Sequence, residues 1–488
     1  MISETKTYQT IVIGAGSGGM TVAIGLAGLG RRVAMIEGKF IGGDCTNVGC
    51  VPSKTLIHLV NDRDVELPSQ SVLVEVQTKR NQLRDRETVE VEHMENLDLI
   101  WGKARFLAPK RLEVTQPDGS LLELSADNIV IATGSRPRHM DIAGLPTERM
   151  LTNESLFEIE DAPRHLVIVG SGVIAMEMAF AFRKLGSQVS VITRGGRVMS
   201  SAISEAAEAL HTALTERDIA VYYNAKPQSY DEATNTLHIL TNGVPATIEG
   251  ADRVLLAVGR VRNIDTLNLE QAGVAFDDKD GIKIDSYGQT NVPGIYAIGD
   301  VTPTSHFTHS ANAQGRRVVQ KIAFPFLPAS SPEPFYPSAT FSDPEVARVG
   351  LTPEQIAERY HPKMVKRLRV ELSALDRGYT DGVTTGFIIV DAVRLTGRIL
   401  AVTIVGPRAS EILSFFTLAI TEKISLYKIY RLVYPYPTFS GGIQKVADAF
   451  MRETLPNLKA EILNYIRYRF VAPPRQSGQK AGARLPQA

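Results

Sequence analysis

Cysteine is close to absent from this chain, with two in 488 residues. That excludes the disulfide-dense frameworks that hold small secreted domains together. An excess of charge is missing too: 53 Lys and Arg balance 53 Asp and Glu, so no global field draws the chain to nucleic acid or an anionic membrane. No uncharged apolar run reaches the roughly 18 residues a membrane span requires. The opening residues, MISETKTYQTIVIGAG, lack the basic and apolar stretches of a secretory signal, and a cytoplasmic location is expected. What remains is ordinary globular content, 44% apolar and 22% charged, at a length that calls for about three domains.

The two cysteines are not scattered. Both fall in CTNVGC, Cys45 to Cys50, inside a glycine-rich loop. Such clustering of a rare residue points to chemistry, against the alternative of two inert buried thiols. In the following run, VGCVPSKTLIHLV, Pro52 lies near the start of an apolar helix, so Cys50 is predicted at a helix N-terminus. There the positive dipole end favours the thiolate, the species that exchanges with disulfides.

Upstream, QTIVI (9–13) leads into GAGSGG (14–19), an alanine- and leucine-rich stretch, and RVAMIE ending at Glu37. Strand, glycine turn, helix, strand and acid make a dinucleotide-binding βαβ unit. Gly14, Gly16 and Gly19, with Ser17 and Gly18 between them, allow the backbone to approach a pyrophosphate on the helix N-terminus. Glu37 is placed to accept hydrogen bonds from a ribose. The pattern returns at 165–194, where Gly170, Gly172 and Ala175 take the three glycine positions. Here the second strand ends in Thr193 and Arg194 with no acid. Arg194, helped by Arg197, suits a 2′-phosphate, and NADPH is expected in preference to NADH.

Strands running into glycine turns also occur at IVIATGSRPR (129–138), LLAVGR (255–260) and GIYAIGD (294–300). A proline-rich linker at 325–337 precedes a separate α+β unit, and the tail from Ala472 has a disordered composition. The charged region 61–96 reads as a solvated amphipathic helix rather than a basic binding patch.

Taken together, GGDCTNVGCVPSK (42–54), IVIATGSRP (129–137), the second fingerprint, GIYAIGD and FSDPEVARVGL (341–351) make the chain resemble the class I pyridine nucleotide–disulfide oxidoreductases. That family includes dihydrolipoamide dehydrogenase, glutathione reductase and mercuric reductase. The resemblance runs from residue 8 to about 450, and it implies an α/β fold. An FAD-binding domain (1–160) is followed by an NAD(P)-binding domain (161–284), a return to the FAD-binding domain (285–330), a dimerisation domain (335–470) and the disordered tail (472–488). It also implies FAD as cofactor, a homodimer, and a redox-active disulfide between Cys45, which meets substrate, and Cys50, which stacks on the flavin. Lys54 is expected beside the flavin, paired with Glu177. Gly43, Ala104, Thr133, Gly134, Ser135, Asp300 and Thr308 are expected along the FAD, and Gly259 lies in a loop resembling the nicotinamide side.

The chain departs from the family at one place. Dithiol-handling members carry His-Pro-Thr followed by Glu, the acid–base pair for the interchange thiol. Here YPYPTFSGG puts Tyr436 and Gly441 at those positions, and a phenol near pKa 10 is a poor proton shuttle. The nearest pattern is that of mercuric reductase, although no third cysteine exists to deliver Hg(II). The expected activity is NADPH oxidation through FAD and Cys45/Cys50 onto a disulfide, metal ion or other thiol-reactive acceptor. A transhydrogenase or diaphorase, a dihydrolipoyl dehydrogenase and a flavin-containing redox sensor are the rivals. Residues 455–471 form a basic amphipathic segment, expected to pack on the dimer, with peripheral membrane contact as the alternative.

Overall fold

The computed structural model describes residues 5–61, 68–303, 307–327 and 335–471. The runs Ile11–Ile13 and Val33–Ile36 are buried throughout, as strands covered on both faces must be. They lie in strands Lys6–Ile13 and Val33–Glu37, which pair in parallel. Leu121–Ile131 pairs in parallel on the other side of Lys6–Ile13, and Leu97–Trp101 extends the far edge. An antiparallel ribbon, Arg111–Thr115 and Lys103–Ala108, joins Leu121–Ile131. Much later in the chain, Ile295–Ala297 returns to pair with Leu121–Ile131 in parallel.

Register decides where the site forms. Ile13 stands opposite Ile36 and Ile131, and Ile131 opposite Ala297. The carboxyl ends of four parallel strands are therefore level, and the residues that follow them emerge along one edge. Open α/β sheets bind ligands at that edge.

The excursion between these strands builds a second sheet, all parallel: Ala220–Tyr222, Gln188–Ile192, His165–Val169, Arg253–Leu256 and Met150–Leu151. Helix Val173–Lys184 makes the crossover, buried from Ala175 to Phe182. A three-stranded antiparallel meander, Ala225–Asp231, Thr236–Thr241 and Val244–Ile248, is added to it.

The last unit is a five-stranded antiparallel sheet ordered Ser338–Thr340, Val346–Gly350, Ile399–Val405, Phe387–Val393 and Val365–Glu371. Phe387–Val393 and Ile399–Val405 are buried at every position. Helices Ala409–Thr421 and Gly441–Thr454 cover one face, burying Phe416 and Phe450 completely. Phe387, Ile389 and Val405 instead pack with Leu56 and Met176. This unit thus closes over the helices that carry Lys54 and Glu177.

The helix expected within 61–96 forms as Ser69–Glu92, while 62–67 lie outside the described residues. Most of the proline-rich linker (328–334) and the tail from 472 lie outside them too. The segment 455–471 forms helix Leu458–Tyr468, whose one buried residue is Glu461.

Candidate active site

Cys50 is the first residue of helix Cys50–Asn61, and Cys45 sits in the short helix Gly43–Asn47. Asn47 ties the turn between them, its Nδ2 donating to the carbonyls of Ile41 and Gly43 at 2.9 Å each. Both cysteines are free, Cys45 half-buried and Cys50 exposed. Thr308, first residue of helix Thr308–Ala323, places its Oγ1 3.6 Å from Cys50 Sγ. Its carbonyl accepts from Ser17 Oγ at 3.4 Å, and Ser17 is the first residue of helix Ser17–Ala27. Three helix N-termini therefore converge on one point, each presenting unpaired N–H groups and a partial positive charge.

The two thiols are electrostatically unequal. Cys50 is brought down to about 6, first by its hydrogen bond with Cys45, then by the Thr308 hydroxyl and the Lys54 cation, against the opposing effect of burial. Cys45 is pushed up by the same hydrogen bond and by burial. The pair thus shares one proton, with the negative charge on Cys50.

One turn along the helix, Lys54 Nζ donates to Glu177 Oε1 and Oε2 at 2.9 and 2.7 Å. The carboxylate is buried and also accepts from the Phe341 backbone N–H at 3.0 Å. Lys54 Nζ lies 4.6 Å from the centre of the Phe341 ring. One carboxylate thus ties together residues from all three units.

The first glycine turn meets the demands of a dinucleotide. Gly14 has φ +103°, and a Cβ there would strike the Ala132 carbonyl. A Cβ on Gly19 would collide with the Gly14 carbonyl, and one on Gly43 would press on Gly16. Glu37 Oε2 accepts from Ala15 N at 2.8 Å, holding its carboxylate at the turn. Gly18 allows close approach of helix Thr308–Ala323, since a Cβ would meet Ala311 and Ile298. Across the same edge, Ser135 Oγ donates to Asp300 Oδ2 at 2.5 Å. Thr133 Oγ1 donates to the Asn263 carbonyl at 2.7 Å, and Gly134 adopts φ +69°. These residues fit FAD: a backbone cradle with no room for side chains, acids at the strand ends, and helix N-termini facing the thiols. Ala104 lies in Lys103–Ala108 with its side chain in the core.

In the second fingerprint Gly170 has φ +128°, and a Cβ would collide with the Ala257 carbonyl. At Gly172 a Cβ would meet nothing within 4 Å, and Ala175 is fully buried. Arg194 and Arg197 are exposed beyond strand Gln188–Ile192, and Arg197 donates to the Ser200 carbonyl at 2.7 Å. Gly259 has φ +108°, and its carbonyl accepts from Arg138 N at 2.9 Å.

Tyr436 stands apart. It is 79% exposed on the third unit, and Asp376 beside it, charged and hydrogen-bonded to the phenol, pushes its pKa further up.

Sequence reasoning missed two contributors, Phe341 and Glu87, and placed a third, Arg260, only within a loop (257–260) resembling the nicotinamide side. Arg260 donates to Ser135 Oγ and O at 2.6 and 2.7 Å, pairs with Asp44 and approaches Asp300 at 3.7 Å. Asp44 is adjacent to Cys45, and that adjacency was the available signal. Phe341 opens FSDPEVARVGL, yet nothing in the string tells that its amide serves Glu177. Glu87, which accepts from Thr46 Oγ1 at 2.9 Å, has no sequence signal.

A model of the pyridine nucleotide-disulphide oxidoreductase family matches residues 8–315, and one of its dimerisation domain matches 336–447. The chain is 32% identical over 469 residues to mercuric reductase from Lysinibacillus sphaericus, covering 93% of this chain and 84% of that one. It is 31% identical over 460 residues to dihydrolipoyl dehydrogenase 3 from Pseudomonas putida, covering 91% and 98%. Among solved structures it resembles the Cu(II) complex of the HOCl-induced flavoprotein disulfide reductase RclA from Escherichia coli. That likeness has TM-score 0.83 and 25% identity, over 91% of this chain and 99% of the other.

Proposed function

Since the chain belongs to the pyridine nucleotide-disulphide oxidoreductases, as a flavoprotein disulfide reductase, we propose that it passes electrons from NADPH through Cys45 and Cys50 to a thiophilic metal ion. FAD, when bound, supplies the two-electron carrier between nicotinamide and sulfur. Gly14, Gly16, Gly19, Glu37, Ser135 and Asp300 would hold it. Gly170, Gly172 and Ala175 would admit the nicotinamide dinucleotide, with Arg194 and Arg197 on its 2′-phosphate.

The protein's own residues divide the work. The hydrogen bond from Cys45, then Thr308 and Lys54, keep Cys50 ionised, so the pair is poised to lose two electrons and close as a disulfide. Cys45 is the sulfur that engages the acceptor. Glu177 fixes Lys54 in place.

One observation carries the choice of acceptor: the Tyr436 phenol is bound to Asp376 and raised above its ordinary value. Reducing a disulfide releases two thiols and needs two protons delivered, whereas a thiol-bound metal ion takes electrons without them. The similarity to mercuric reductase and to a Cu(II)-bound reductase supports the same choice. The similarity to dihydrolipoyl dehydrogenase 3 supports a disulfide acceptor as the second reading.

The test is anaerobic NADPH oxidation with Hg(II), Cu(II), a quinone and small disulfides, in the wild type and in Cys45→Ser. Metal-dependent turnover should fall at least about 100-fold in the variant while quinone reduction survives. Faster wild-type turnover with a small disulfide than with either metal would overturn the metal reading.

A further inference from the structure

Helix Leu458–Tyr468 is mounted with its polar side inward. Its buried residue is Glu461, which meets Lys366 Nζ at 3.2 Å and Arg394 Nη1 at 2.9 Å. Tyr468 stacks on His361, ring centres 4.4 Å apart, and accepts from Lys363 Nζ at 3.2 Å. Ion pairs, a ring stack and the packing of Tyr465 and Tyr468 on Leu351, Met364, Val393 and Leu400 thus fix the helix, while Leu463 and Ile466 face away. Leu463, Ile466 and, just past the helix end, Phe470 are 68%, 65% and 86% exposed. A surface helix ordinarily docks the other way round, apolar stripe to the core.

Lys459, Arg467 and Arg469 flank this outward face, and they are exposed. The nearest acid in the segment, Glu461, is already buried and paired. The chain continues from 472 to 488 with Arg475, Lys480 and Arg484 and no acidic residue. The helix also lies beyond residues 336–447, the span matched by the dimerisation domain.

We propose that this face is a docking surface for an anionic lipid bilayer. Leu463, Ile466 and Phe470, exposed among the cations, suit insertion to headgroup depth. The basic residues supply attraction to acidic headgroups. A second copy fits the surface poorly. In a two-fold interface the same patch serves both subunits, so its cations would be brought together with no acid of 455–471 free to pair them. Nor is a span involved, for among the described residues no helix is long and apolar enough to cross a membrane.

The experiment is co-sedimentation of the full-length flavin-loaded protein with vesicles of phosphatidylcholine alone or mixed with phosphatidylglycerol. The wild type should pellet with the mixed vesicles and remain in the supernatant with phosphatidylcholine. Leu463→Asp with Ile466→Asp should abolish pelleting, and Lys459→Gln with Arg467→Gln should weaken it by at least about tenfold. NADPH oxidation and molar mass in solution should not change in either variant. Failure of the wild type to pellet with the mixed vesicles would overturn the proposal, as would wild-type pelleting by the Asp variant. A fall in molar mass in that variant would also overturn it, and would assign the face to a second copy.

Discussion

Lys54→Met and Glu177→Gln should move the Cys50 thiolate in opposite directions, although both break the same ion pair. Cys50 is lowered to about 6, with Lys54 lowering it and Glu177 raising it. Removing the cation should raise the midpoint by roughly one unit, and removing the carboxylate should lower it by a similar amount. One unit is a tenfold change in the thiolate-to-thiol ratio, about 1.4 kcal/mol. At pH 6 the wild type should be about half ionised, Lys54→Met about one-tenth and Glu177→Gln about nine-tenths. Lys54→Met also strands a buried carboxylate, which should cost about 3 kcal/mol of stability, the low end for a broken buried pair, because Lys54 is a third exposed. In Glu177→Gln the amide oxygen still accepts from Phe341 N, and the freed lysine reaches solvent. The assay is the pH dependence of iodoacetamide alkylation of the reduced protein, with Cys50 and Cys45 resolved by peptide mass. Midpoints that move the same way in both variants, or do not move, would refute the assignment of charge to Cys50.

The remaining predictions concern pH, the fingerprints and Tyr436. Because Cys50 is depressed on folding, its stabilisation is complete above the ordinary thiol value of 9.0 and fades as pH falls toward 6. The Tm of the reduced protein should therefore rise between those limits relative to Cys50→Ser, and parallel curves would count against it. Gly19→Ala should lose bound flavin, since its Cβ has no room. Gly172→Ala should keep flavin content and Tm while weakening NADPH binding, because the added methyl enters open space facing the second turn. Arg194→Ala should lower kcat/KM for NADPH by about tenfold and leave NADH unchanged, read by steady-state kinetics; equal losses would remove the 2′-phosphate role. Tyr436→His combined with Gly441→Glu should raise disulfide turnover by at least about tenfold and give it a bell-shaped pH profile. The Glu side chain starts in open space there, and an unchanged rate would contradict the acceptor argument.

Much of the site was legible because it depends on short-range chemistry. Glycines needed for close backbone approach, a proline near a helix start and two cysteines five apart are local demands, and they stand in the string in order. The Glu177–Lys54 pair, 123 residues apart, was reached only through family resemblance. Phe341 and Glu87 escaped, and Arg260 was placed only in a nicotinamide-side loop, since an aromatic amide, a carboxylate and an arginine have no local requirement that marks their partners. Helix Leu458–Tyr468 was read as amphipathic, but periodicity does not say which face turns inward. Buried Lys366, on strand Val365–Glu371, and half-buried Arg394, in the turn after Phe387–Val393, select Glu461 over the leucines.

Composition and motif order alone established two dinucleotide units and a clustered cysteine pair, because each follows from what neighbouring residues permit, while the redox disulfide and the missing acid–base histidine were read from the family resemblance. Folding decided the rest. Level strand ends brought Gly14, Glu37, Thr133 and Asp300 to one edge, and three helix N-termini met at Cys50. Which thiol carries the charge depends first on the hydrogen bond between Cys45 and Cys50 and then on Thr308, Lys54 and Glu177, an arrangement that exists only once the chain has closed on itself.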